Sequence, residues 1–262
     1  MSTFAMHVAK TGLNSQQIKM QVIANNLANV NTTGFKADRA NFESLLYQIL
    51  RGAGDNTSEN TSLTSGLSVG TGTRLLNTSK LHTQGSLINT GNSLDISIEG
   101  DGFFQVLLPD GRVAYTRSGA FSRNAEGTVT TASGYALQPE ITIPAEAISI
   151  NISSDGIVSV QVPGAVDAEE VGQITLADFP NRQGLQPNGE SMLLETPASG
   201  AAIVAAPFEE GMGRTVQGSL ESSNVNVVQE LVDMIETQRA YEVSSKTITS
   251  VDEMMRYLAQ NV

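Results

Sequence analysis

The feature that most constrains this chain is a helical apolar stripe close to its C-terminus. Apolar residues recur through Val228, Leu231 and Ile235, and again through Tyr241, Ile248, Val251, Met255, Leu258 and Val262. The steps are mostly three, four or seven, the period of a helix with one dry side. Such a stripe needs a facing surface along its whole length, as in a coiled-coil seam. Two successive steps of three, ending at Gln238 and Tyr241, shift the phase, so the stripe is expected to wander around the helix there. Asn226 is placed to cap the N-terminus, with Gln229 at the position from which a capping box reaches back. The pairs Glu236 with Arg239, Glu242 with Lys246, and Asp252 with Arg256 have helix-supporting spacing. A helix from Asn226 to Val262 is far longer than a small domain needs to close itself, since each residue adds about 1.5 Å.

A second stripe stands at the other end. From Ser2 to Val30, the residues Leu13, Met20, Ile23, Leu27 and Val30 recur at steps of seven, three, four and three. The shared period predicts that the two terminal helices pair, within one molecule or between molecules. The alternative is that each packs separately on the middle of the chain. Asn14, Asn25, Asn26 and Asn29 are poor helix formers within this stretch. At a packed seam such a side chain, Asn26 for example, can fix register and partner; on the surface it is merely solvated.

Composition narrows the function classes. The chain has 262 residues, 40% of them apolar, enough for a real core in one large domain or two smaller ones. Aromatics are sparse at 5%, and 24 Gly with many Ser, Thr and Asn residues point to numerous turns in a β-rich middle. A formal net charge of −12 argues against nucleic acid or an anionic membrane surface as a main partner, because binding phosphates needs a basic patch. The absence of Cys removes thiolate chemistry and most structural zinc sites, and two isolated His residues offer little to a metal. No apolar run approaches the length of a membrane span, and Met1 to Lys10 lacks the pattern of a cleavable signal peptide.

The middle reads as short strands and turns. The block Gly100 to Leu108, the turn Pro109-Asp110-Gly111 and the return Val113 to Thr116 form a strong hairpin signal. Further strands are expected at Thr128 to Thr131, Tyr135 to Leu137, Ala147 to Asn151, Gly156 to Val162, Ile174 to Phe179 and Met192 to Glu195. Regular turns between them indicate a compact antiparallel barrel or sandwich. The expected fold class is therefore α+β: paired, coiled-coil-like terminal helices and a central antiparallel β-rich domain. Between helix and β-region, Phe42, Leu45, Leu46, Ile49 and Leu50 have helical spacing, which predicts a short amphipathic helix within Asp38 to Arg51, although so short an apolar run also suits an extended arm. Gly52 to Gly72, rich in Gly, Ser, Thr and Asn, reads as a long loop or weak hairpin.

Catalytic chemistry finds little support. Asp95, Glu99 and Asp101 are close in sequence, as a glycosidase pair would be, but lie near Gly-rich turns with few aromatics to hold a sugar. His82 has no Cys or acid at motif spacing, and Gly70-Thr71-Gly72 lacks the lysine and hydroxyl of a phosphate loop. No catalytic, cofactor-binding or metal-ligating residue is expected, and no cofactor.

Three runs carry a family resemblance. Ala24-Asn25-Asn26-Leu27-Ala28-Asn29-Val30-Asn31-Thr32-Thr33-Gly34-Phe35-Lys36 is similar to the N-terminal signature of the bacterial flagellar rod and hook proteins. Its second half makes physical sense as a helix exit, because Gly34 permits the left-handed conformation that stops a helix. Ser223 to Ile235, followed by Gln238-Arg239-Ala240-Tyr241-Glu242, resembles the other end of that family, and Gly100 to Gln138, with Tyr115-Thr116-Arg117-Ser118-Gly119-Ala120-Phe121, resembles its core β-domain. The resemblance is strongest to distal-rod members, since the insertion at residues 52–72 is similar to one that marks them, and it suggests a contact arm that stiffens the assembly.

The resemblance implies a structural subunit of the basal-body rod that polymerises as a helical, hollow homopolymer and transmits torque to the hook. It implies export through the flagellar type III apparatus without a cleavable signal, assembly across the periplasm, and as neighbours the proximal rod proteins, the hook protein and the surrounding ring bushing. The expected organisation is an N-terminal axial helix over residues 1–35, a linker and extended arm over 36–80, a central β-rich domain over 81–194, a return linker over 195–224 and a C-terminal axial helix over 225–262. Subunit packing is expected at Leu13, Met20, Ile23, Asn26, Leu27, Val30, Leu231, Ile235, Tyr241, Ile248, Val251, Met255 and Leu258. A proximal-rod or hook-type axial subunit is the near alternative; a secreted β-rich adhesion module or a carbohydrate-active enzyme would belong to other classes.

Overall fold

The computed structural model describes residues 2–53, 56–58, 61–62, 64–164 and 168–260. Its chain forms two compact units, one of residues 1–27, 38–79 and 226–262, the other of residues 28–37 and 80–225.

The first unit contains the two long helices. Helix α1 spans Ser2–Ala28 and helix α2 spans Val227–Gln260, both close to the sequence expectation. Asn226 caps α2: its side-chain oxygen accepts from the amides of Val228 at 3.1 Å and Gln229 at 3.3 Å. The capping box does not close, because Gln229 turns forward and donates to Asp233 at 3.1 Å. Of the three expected helix-surface ion pairs, Asp252 with Arg256 forms, at 3.0 Å. α2 runs without interruption past Gln238, so a stripe that changes phase there must rotate from one side of the helix to another. Among the described residues, neither helix is long and apolar enough to cross a membrane.

Between the helices the same unit holds a β-ribbon rather than the short helix expected within Asp38 to Arg51. Strand Asp38–Ser44 pairs with Thr73–Lys80, Tyr47–Arg51 with Leu67–Gly70, and Asn56–Ser58 with Thr61–Ser62. The apolar spacing fits a helix, but a short helix is stable only when one face is buried. Here Leu46, Tyr47, Ile49 and Leu50 are all exposed, Leu46 at 87%, so no core rewards the helical form. Strand pairing instead satisfies the backbone along the ribbon, as in the ladder Tyr47↔Gly70 and Gln48↔Val69. Gly52 to Gly72 accordingly holds a hairpin, with Leu67–Gly70 as its returning strand; residues 54, 55, 59, 60 and 63 lie outside the described residues.

The second unit is antiparallel β-structure. Its largest sheet runs in the order Phe121–Arg123, Val129–Thr131, Ala136–Gln138, Phe103–Leu107, Val113–Thr116, Met192–Leu194 and Gln186–Gly189, with Leu176–Asp178 and then Ile203–Ala205 branching from Phe103–Leu107. The hairpin at Pro109-Asp110-Gly111 forms as expected, Val106 facing Ala114. Ser149–Ile152, Ile157–Gln161 and Glu169–Gln173 make a three-stranded sheet. Two pairs complete the unit: Ile96–Glu99 with Arg214–Gln217, and Leu87–Asn89 with Ser219–Glu221. The last two partners, together with Ile203–Ala205, lie within residues 195–224.

Strand alternation explains the core. Phe103 and Phe104 are consecutive and point to opposite faces of the sheet. Phe104 joins the main cluster with Val106, Leu137, Val160 and Leu176, and its ring meets Phe121 edge-on at 5.2 Å. Phe103 seeds a second cluster with Tyr115, Phe179, Leu185 and Leu193, in which Tyr115 and Phe179 meet edge-on at 4.7 Å. Each buried Phe contributes about 1.5–3 kcal/mol, so this dipeptide anchors both sides of the sheet.

Candidate functional site

Two polar nodes and one apolar face stand out, each within a single unit. The first node is Asn26, 2% exposed on α1. Its side-chain amide pairs with the main chain of Asp38 like a short piece of β-ladder: Nδ2 donates to the carbonyl at 2.9 Å, and Oδ1 accepts from the amide at 2.8 Å. Nδ2 also donates to Oε1 of Glu230 near the start of α2, at 3.0 Å. One residue thus ties α1 to the start of the ribbon and to α2. Burial pushes the Glu230 carboxyl above the usual carboxylate range, partly opposed by the Asn26 hydrogen bond.

The second node lies in the β-unit, around Glu221, whose side chain is 0% exposed. Lys36 Nζ reaches its Oε1 at 2.6 Å and Arg117 Nη1 its Oε2 at 3.4 Å; the Gly85 amide donates to Oε1 at 2.8 Å. Lys36 also donates to the Thr83 carbonyl at 2.8 Å, and Arg117 to the Gly100 carbonyl at 2.7 Å while its guanidinium rests 5.5 Å from the Phe103 ring centre. Burial pushes both Lys36 and Arg117 down from their ordinary ranges, with Glu221 opposing the shift in each case. The backbone is tied here too: Gly34 N–H donates to the Glu221 carbonyl at 2.8 Å, and Ala37 N–H to Asn224 Oδ1 at 2.8 Å. Gly34 has φ +67, the left-handed conformation its place at the helix exit requires, and a Cβ added there would run into the Arg117–Ser118 backbone. A cleft of about 380 Å³ opens beside this node, lined by Phe35, Lys36, Lys80, Phe103, Arg117 and Glu190 among others.

The apolar face is on α2. Its solvent-withdrawn stripe runs through Glu230, Met234, Thr237, Ala240, Ser244, Ile248, Val251 and Met255. In its first half that stripe includes Glu230 and Thr237, while Val228, Leu231, Val232 and Ile235 are exposed, Val228 at 71%. A helix of a self-contained protein buries its apolar side. Here the first three turns present it outward.

The expected packing residues divide accordingly. Ile23, Asn26 and Val251 are buried; Leu13, Met20, Leu27, Val30, Ile248 and Met255 are half-buried; Leu231, Ile235 and Tyr241 are exposed. The side chain of Leu258 lies outside the described residues. The phase shift ending at Tyr241 is where the sequence stripe passes from the outward to the inward side of α2. The Glu221 node escapes a reading of the sequence, because Lys36, Arg117 and Glu221 are far apart along the chain and a lone charge reads as solvated; the one signal is that Lys36 and Arg117 each fall inside a family-like run.

The three acids weighed for catalysis are each engaged separately. Asp95 accepts from Thr90 at 2.6 Å and Asn92 at 3.0 Å, Glu99 pairs with Arg214 at 2.6 Å, and Asp101 with Arg182 at 2.6 Å. Among the described residues no group of three or more His, Cys, Asp or Glu side chains is arranged to hold a metal.

Two tied terminal helices, an outward apolar stripe and an antiparallel β-unit are the features of a structural assembly subunit. Residues 6–36 match the family described as "Flagella basal body rod protein", residues 97–160 "Flagellar hook protein FlgE/F/G D1 domain", and residues 216–261 "Flagellar basal body rod FlgEFG protein C-terminal". Relatives named "Flagellar basal-body rod protein FlgG" align over nearly the full length. That of Buchnera aphidicola subsp. Schizaphis graminum is 51% identical over 256 residues, 98% of both chains. That of Borreliella burgdorferi is 46% identical over 253 residues, 96% of both chains. That of Agrobacterium fabrum is 44% identical over 259 residues, 98% of this chain and 99% of the relative. The chain belongs to the flagellar basal-body rod family. It is a structural subunit of the rod and not an enzyme.

Proposed function

We propose that the chain polymerises head to tail into the hollow helical shaft of the distal rod, which carries torque to the hook. The observation that carries this reading is the outward apolar stripe Val228, Leu231, Val232 and Ile235, a face that a second copy can cover at no cost in unpaired polar groups. Heterologous contacts of this kind extend into a helical filament when they do not close a ring. Residues 1–35 and 225–262 supply the axial contacts, through Leu13, Met20, Leu27, Val30, Leu231, Ile235 and Tyr241 on their accessible sides and through Ile23, Asn26, Ile248, Val251 and Met255 where the helices are held, with Leu258 as a further expected contact. The ribbon within residues 36–80 serves as a contact arm, its exposed Leu46, Tyr47, Ile49 and Leu50 meeting neighbouring copies. Residues 81–194 form most of the β-rich body, and 195–224 add three strands to it on the way to α2.

The subunit crosses to its place through the flagellar export apparatus and assembles in the periplasm, between proximal rod proteins and hook protein and inside the ring bushing. A truncation lacking residues 252–262 tests the reading. The truncated chain keeps the β-unit core and remains soluble, but forms no filaments under conditions in which the full chain does. Normal filaments from it would overturn the axial role of the C-terminal helix.

A further inference from the structure

Glu221 joins the two segments by which the chain passes between helices and β-unit. Residues 34–37 follow α1; residues 221–225 precede α2. The carboxylate and carbonyl of Glu221 hold Lys36 Nζ and the Gly34 amide, and three residues on, Asn224 takes the Ala37 amide at 2.8 Å while donating to the Leu81 carbonyl at 2.8 Å. We propose that Glu221 is a positioning residue for assembly: with Lys36 and Arg117 it clamps residues 34–37 to residues 221–225, the segments that follow α1 and precede α2 in the chain. The assembly consequence rests on the rod-subunit reading; the clamp rests on geometry alone.

The node is asymmetric, and that asymmetry makes the proposal specific. Two cations converge on one carboxylate. Without Lys36, Glu221 keeps Arg117 and the Gly85 amide. Without Glu221, the Lys36 ammonium and the Arg117 guanidinium, each 4% exposed, are both left with carbonyls for company, and an unbalanced buried charge is far more costly than a missing pair. The clamp meets the second apolar cluster where Arg117 rests over the Phe103 ring, a contact that substitution of Glu221 or Lys36 leaves in place; Phe104, Val106, Leu137 and their neighbours form the other cluster. Releasing the clamp therefore frees residues 34–37 locally and leaves the β-core closed.

Amide hydrogen exchange on the full chain, wild type against Glu221→Gln, reads this directly. The expected result is exchange faster by about 100-fold at Gly34 and Ala37, with no change in the distant hairpin of Ser149–Ile152 and Ile157–Gln161. The double variant Lys36→Met with Glu221→Gln removes the stranded ammonium, while Arg117 keeps the Gly100 carbonyl and the Phe103 ring face, and is expected to bring Gly34 and Ala37 back to within about tenfold of wild type. Wild-type protection at Gly34 and Ala37 in Glu221→Gln would overturn the clamp. So would loss of protection throughout the β-unit, in the single variant if it folds and otherwise in the double variant. Filament formation by the same samples separates the two layers. The proposal expects filaments from wild type and none from Glu221→Gln; equal filaments from both overturn the positioning role. If wild type forms none while local release is seen, the rod reading fails and the clamp stands.

Discussion

Replacing Gly34 by Ala isolates what the helix-exit signature does. Two costs apply. Gly34 has φ +67, and a residue with a Cβ pays about 1–2 kcal/mol to adopt the left-handed region. The added Cβ would also lie 2.6 Å from the Arg117 carbonyl carbon and 2.8 Å from the Ser118 Cα, both backbone atoms that cannot swing aside. Overpacking of that kind costs about 1–3 kcal/mol. The sum is about 2–5 kcal/mol, or roughly 4–20 °C in melting temperature for a domain of this size. Gly91 supplies the control, with φ +71 in the same unit and nothing within 4 Å of the position an added Cβ would take. Gly91→Ala therefore pays only the conformational part, about 1–2 kcal/mol. Urea denaturation of both variants, followed by circular dichroism, measures the difference. Equal costs for the two substitutions would refute the close approach of residue 34 to the Arg117–Ser118 backbone.

Asn26→Ala removes three hydrogen bonds from a buried node and is expected to cost about 1–3 kcal/mol in the same assay. Asn26→Asp keeps the acceptor for Asp38 N–H but sets a second carboxylate beside Glu230, whose carboxyl burial already pushes up, so its destabilisation is expected to shrink as the pH is lowered and one of the two acids protonates. His82 gives a pH dependence of the opposite sense. Burial first, and then the nearby Lys36, push its imidazole from 6.5 down to about 4, so the unfolded chain takes up a proton below 6.5 while the folded chain stays neutral until about 4. Stability is thus full above pH 6.5 and declines as pH falls to about 4, by about 2–3 kcal/mol for a group this buried. His82→Phe, which keeps a ring against Phe103, is expected to flatten the stability curve across that interval in urea titrations at stepped pH; an unchanged slope would show that His82 is not its source.

Local order is legible in the sequence and non-local order is not. Both long helices, the Asn226 cap and the hairpin at Pro109-Asp110-Gly111 follow from period and turn chemistry, which act over a few residues. The ribbon is misread because Phe42 to Leu50 fits two periods, and the decision lies with partner strands such as Leu67–Gly70. Asn26 stands out in the sequence as a polar residue able to fix register; its partners, Asp38 and Glu230, are 12 and 204 positions away and leave no local mark. The same distance hides Glu221, which is 185 positions from Lys36 and 104 from Arg117. The apolar stripe on α2 is plain, but a period says only that a face needs cover. It does not say whether the cover comes from the same chain, and over Val228 to Ile235 it does not.

The central claim is that this outward face is the contact between copies in a helical shaft. Electron cryomicroscopy of filaments assembled from the full chain measures it most directly. The expected result is a hollow helical tube in which Val228, Leu231, Val232 and Ile235 are covered by helices or ribbon of neighbouring copies. Closed rings, or a filament in which those four side chains still face solvent, would contradict it.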